Sequence, residues 1–130
     1  MVCEEIMPTG DLEAFLKKKD AGFVETLLEL IQKSGQKNSA IYKKANITKQ
    51  HFSKLINDPD AKPSKPTAIA LALALELDLD GTRDLIGRAG YALTSSSKFD
   101  LIIRYFIQQK NYNIIEINIA LYEFDQSTLG

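Results

Sequence analysis

Four side chains in the stretch "NITKQHFSKLIND", residues 46 to 58, have the chemistry to read the edge of a base: Lys49, Gln50, His51 and Lys54. A glutamine amide presents a donor and an acceptor side by side and can pair bidentately with adenine, while a lysine ammonium reaches the acceptors of guanine. These residues fall between Phe52, Leu55 and Ile56, whose spacing gathers the apolar groups on one helix face and leaves the polar groups on the other. Thr48, just ahead of them, suits an N-cap position. The same pattern fits an ordinary amphipathic helix with a basic outer face. His51 then reads as a surface histidine and Gln50 as a good helix former.

Charge is distributed unevenly. The chain of 130 residues has a formal net charge of −1, but residues 33 to 65 hold eight lysines against two aspartates, a net of +6. Residues 1 to 32 sum to −4 and residues 66 to 130 to −3. A basic patch confined to the central third supplies phosphate affinity even when the whole chain is near neutral. Its plain alternative is a solvated lysine surface.

No catalytic constellation stands out. There is one histidine, and no paired acids, metal-ligand cluster or glycine-rich phosphate loop is visible, so no enzyme activity, metal or cofactor is expected. "DLDGTRD", residues 78 to 84, lacks the third early ligand and the closing Glu of a calcium loop. The single cysteine, Cys3, allows no internal disulfide, and with no apolar signal segment a reducing cytoplasm is the expected compartment. Cys3 reads as a thiol without a role. The longest apolar run, "AIALALAL" at 68 to 75, is far too short for a membrane span.

The elements that must position the opening residues read as helices throughout. Residues 1 to 20 read as a tail or a weak helix. A first amphipathic helix is expected over 21–34, stopped by Gly35, a short one over 39–45, then a turn at Asn46 and Ile47 and a helix over 48–57. "DPDAKPSKP" is a proline-rich loop. A helix over 65–77, capped by Ser64 with Pro66 in its first turn, is apolar nearly all round and should be central. A short helix is expected over 80–88, ended by Gly90. After the linker "TSSS" come helices over 98–109 and 113–124, opened by Ser97 with Asp100 and by Asn113 with Glu116, both in capping-box spacing.

Residues 41 to 58, "IYKKANITKQHFSKLIND", carry a resemblance. Ile41, Asn46 in place of the turn glycine, Ile47, Thr48, Phe52, Ser53 and Leu55 follow, without gaps, the pattern of the Cro/repressor-like, or Xre-type, helix-turn-helix family. One helix before the pair and two after it, with a proline-bearing loop and an alanine/leucine-rich fourth helix, extend the likeness over residues 21 to 90. Tyr42, where the family has a small residue, Ile56, and a long loop with Asp58 and Asp60 depart from it.

The resemblance implies an all-α chain: a five-helix repressor-like DNA-binding domain over residues 21–93 behind a tail over 1–20, with a C-terminal helical hairpin over 94–130. Ile41, Ala45, Asn46, Ile47, Phe52 and Leu55 would form the core of the motif. The helix over 48–57 would enter the major groove of double-stranded DNA by its N-terminal end. Thr48, Lys49, Gln50, His51 and Lys54 would read bases, and Lys43, Lys44, Lys62 and Lys65 would contact the phosphate backbone. Such regulators usually act as dimers, and the apolar residues between 99 and 124 are expected either to pack back on the domain or to form the surface of a homodimer. The alternative is a non-catalytic interaction or adaptor module of a bacterial signalling or defence system, which uses the same scaffold to hold a protein partner.

Overall fold

The helix Lys65–Ala74 (α5) organises the molecule. Every residue from Thr67 to Ala74 is buried, because alternating alanine and leucine lets neighbouring helices approach on all sides. Ser64 starts it by accepting a hydrogen bond from the Thr67 amide, and Pro66 occupies the first turn, where no amide is needed. The chain is described by a computed structural model over residues 9–130; residues 1–8, and with them Cys3, lie outside the described part.

Eight helices and no strand are found among the described residues, so the chain is all-α. Around α5 lie Phe23–Ser34 (α2), Asn38–Lys44 (α3), Lys49–Ile56 (α4) and Leu79–Gly87 (α6). Helices α3 and α6 pack directly on α5, α2 packs on α4 and α6, and α3 meets α4. The helices Lys98–Gln108 (α7) and Ile114–Glu123 (α8) pack on each other, with α7 also against α6. Ile103, Ile107, Ile114, Ile117 and Leu121 from this pair join the same buried cluster as Ile41, Phe52 and the face of α5. A further helix, Thr9–Leu16 (α1), forms inside the stretch read from sequence as a tail or a weak helix, and residues 10 to 20 are all exposed. No described helix is long and apolar enough to cross a membrane.

The helix ends have a common construction. After α5, Glu76 takes a left-handed φ of 55°, the Leu77 amide donates to Ala72 O and the Glu76 amide to Leu73 O. This pair of bonds is a Schellman motif, which satisfies carbonyls left open at a helix end. Lys110 ends α7 and Asp125 ends α8 in the same way. The helix expected to reach residue 77 therefore stops at Ala74.

The two expected capping boxes are made by half. Ser97 accepts from the Asp100 amide and Asn113 from the Glu116 amide. The return bonds are absent among the described contacts. Asp100 instead accepts from the Thr94 amide at 2.8 Å, and its other oxygen, with no well-aligned hydrogen bond, lies 2.7 Å from Lys65 Nζ. Asp100 is 1 % exposed, so this pair joins the start of α7 to the start of α5 beneath the surface.

Candidate nucleic-acid interface

The turn between α3 and α4 is set by backbone geometry. Asn46 sits at φ 61°, in the left-handed region. Asparagine tolerates that region better than most residues, which is how it substitutes for glycine. The Ile47 amide donates to Tyr42 O and the Asn46 amide to Lys43 O, closing α3 with a Schellman motif. Ile47 is then buried, as are Ile41, Ala45, Phe52 and Leu55, while Asn46 stays exposed. Tyr42 fits a crossing where a small residue was expected because its ring tilts 43° against Phe52, with centroids 5.5 Å apart.

Helix α4 is fixed from inside and capped at its start. Thr48 Oγ1 accepts from the His51 amide at 3.0 Å. Thr48→Ala should lower stability by about 1 kcal/mol, read by urea denaturation, and an unchanged midpoint would show that this cap contributes nothing. With Phe52 and Leu55 buried, Lys49, Gln50, His51 and Lys54 are left exposed, and none of the four enters an ion pair among the described residues. The four therefore share one solvated helix with two free amides in its first turn, a surface able to hydrogen-bond base edges or phosphates.

The lysines expected on the DNA backbone do not form one set. Lys43 and Lys44 end α3 and line an open cleft of about 720 Å³ with Asn46, the end of α5 and residues 110–116. Lys44 Nζ also donates to Gln36 Oε1 at 2.8 Å. Lys62 lines a second cleft with Lys19, Asp20 and Arg88. Lys65 turns inward to Asp100 and lies 5.8 Å from the centroid of the Phe99 ring, so its charge serves the joint between α5 and α7. Asp58 and Asp60 are exposed just beyond α4, where Asp58 Oδ1 accepts from the Asp60 amide.

Three features near this surface carry no signal in the sequence. Leu129 is buried, and its backbone is held by Asn118, whose Oδ1 accepts from the Leu129 amide at 2.7 Å. Gly130 then lies so close to the α3–α4 turn that a Cβ there would meet Asn46 O at 2.8 Å. Arg88, whose guanidinium is held above its ordinary pKa chiefly by its hydrogen bonds to Asp84, also reaches Ala21 O at 2.7 Å. In the first cleft burial, with Glu76 and Asp78 adding to it, pushes the Tyr112 phenol above its ordinary range. No group of three or more His, Cys, Asp or Glu side chains converges among the described residues.

Comparison of the chain with protein-family models, with curated proteins and with solved structures gave no match.

Proposed function

We infer that the chain is a sequence-specific DNA-binding regulator of the cytoplasm, a five-helix repressor-like domain formed by α2 to α6 with a C-terminal hairpin of α7 and α8. The observation that carries this reading is α4 itself: capped by Thr48, seated by Phe52 and Leu55, and left with Lys49, Gln50, His51 and Lys54 exposed. In this reading the N-terminal end of α4 enters the major groove of double-stranded DNA, Gln50 pairs with an adenine and Lys49 with a guanine. Lys43, Lys44 and Lys62 hold phosphates and set orientation. The regulator acts as a homodimer through the outer face of the hairpin, so that two copies of α4 meet successive major grooves.

The test is selection of bound sequences from a random duplex pool, followed by affinity measurements on the winner. Gln50→Ala with Lys54→Ala should weaken binding by about tenfold to a hundredfold per lost base contact and relax preference at the adenine position. Equal affinity for all duplexes, unchanged in the double variant, would refute base reading by α4.

A second reading is favoured by one observation. The hairpin leaves Leu101, Tyr105, Ile115, Ile119, Tyr122 and Phe124 exposed, more apolar surface than a helical domain needs to show. In this reading the chain is a non-catalytic adaptor that holds a protein partner. Its complex would survive substitution of Lys49 and Gln50 and would be lost on removal of residues 95–130.

A further inference from the structure

After α8 the chain turns back and returns to the turn that opens α4. Asp125 takes a left-handed φ of 59°, and the Gln126 amide donates to Leu121 O at 2.8 Å, which sends residues 127–130 back along α8. Asn118 receives them. Its Oδ1 accepts from the Leu129 amide at 2.7 Å, and its Nδ2 donates to Leu129 O at 3.2 Å. One side chain thus satisfies both backbone groups of Leu129, which is 3 % exposed and belongs to the main buried cluster.

The next residue meets the turn. Gly130 sits at φ 102°, and a Cβ there would lie 2.8 Å from Asn46 O, 3.2 Å from Asn46 Nδ2 and 3.3 Å from Ala45 O. Glycine lets two backbone segments approach this closely. Asn46 O shares a rigid peptide plane with the Ile47 amide, which donates to Tyr42 O and closes α3. Thr48, the cap of α4, follows directly. A contact on Asn46 O therefore bears on the peptide that leads into α4. The hairpin helices pack chiefly on each other and on α6, whereas α4 packs on α2 and α3. Residues 127–130 add a direct link between the hairpin and the start of α4.

We propose that residues 127–130 are a latch that joins the state of the hairpin to the mobility of α4. Closed, Leu129 is seated and Gly130 braces the turn. Open, one leucine is exposed, the Asn118 pair is broken and Asn46 loses its brace, while the core stays folded. So small a segment opens locally, at a fraction of the cost of global unfolding. The latch does not depend on α4 meeting DNA.

Hydrogen–deuterium exchange of the full chain, followed by mass spectrometry, tests it. Leu129→Ala and Gly130→Val open the latch, and Leu129→Met keeps an apolar side chain of similar size in the seat. In both open-latch variants residues 45–52 should exchange at least about tenfold faster, while α2 stays within about twofold of the wild type. Leu129→Met should exchange as the wild type does. Unchanged exchange over 45–52 in either open-latch variant overturns the latch. An equal rise over α2 also overturns it, because that reports a general loss of stability and not a local release. A Leu129→Met chain as loosened as Leu129→Ala overturns it as well, because its seat is filled.

Discussion

Phe52→Ala should lower the free energy of unfolding by about 3–5 kcal/mol. Phe52 is among the largest fully buried side chains and packs against Tyr42 across the junction of α3 and α4. Its removal leaves a cavity at the point where α4 is held, and the short helix then keeps only Leu55 and the half-buried Ile56 as anchors. Equilibrium urea denaturation gives the number. On the opposite face, Gln50→Ala should shift the midpoint by less than about 0.5 kcal/mol, because the residue is exposed and the change is helix-compatible. A loss at Phe52 no greater than the loss at Gln50 would contradict the division of α4 into a seated face and a free face.

Lys65→Met should cost about 2–4 kcal/mol, more than any substitution of Lys43, Lys44 or Lys62. The reason is asymmetry of burial. The Lys65 side chain is 28 % exposed and its stem packs near Phe99, whereas Asp100 is 1 % exposed and one of its oxygens has only the ammonium opposite it. Methionine keeps the stem and removes the charge, which leaves a carboxylate buried and half-compensated. The second substitution Asp100→Asn, added to Lys65→Met, should recover a large part of the loss, since the neutral amide keeps an acceptor for the Thr94 amide and removes the uncompensated charge. Thermal or urea unfolding of the single and double variants measures this. A Lys65→Met variant as stable as the wild type would show that the joint between α5 and α7 does not depend on the pair.

The starts of the helices are legible in the sequence because a cap is a local event. Thr48, Ser64, Ser97 and Asn113 each accept from the amide three residues on, as their spacing predicts. The helix over 79–87 begins slightly earlier than expected, since Asp78 and not a later residue accepts from the Gly81 amide. Helix ends are less legible. Glu76 and Lys110 adopt left-handed backbone without being glycine, asparagine or aspartate, so nothing in their type announces the stop. The inward-facing residues Ile41, Ala45, Ile47, Phe52 and Leu55 follow from periodicity alone and are buried.

The candidate surface divides along the same line. The exposure of Lys49, Gln50, His51 and Lys54 follows from the residues that α4 buries, and it was readable from spacing. The destination of Lys65 was not, because a lysine in a basic stretch shows its charge but not its partner, and Asp100 lies far along the chain. The contact of Gly130 with the turn at Asn46 is likewise made by the path of the backbone after α8 and by the hold of Asn118 on Leu129, for which the residue types give no cue.

The central claim is that α4 meets DNA, and the salt dependence of duplex affinity tests it most directly. Binding by lysine–phosphate contacts releases counterions, so log K falls linearly with log salt concentration, with a slope of about −0.9 per phosphate neutralised. Fluorescence anisotropy of a labelled duplex, titrated with the full chain from low to physiological salt, should show a steep linear fall, made shallower by Lys43→Ala with Lys44→Ala, while Lys49→Ala with Lys54→Ala should lower the affinity. No affinity at low ionic strength, or an affinity that ignores salt and is unchanged by Lys49→Ala with Lys54→Ala, would contradict the claim.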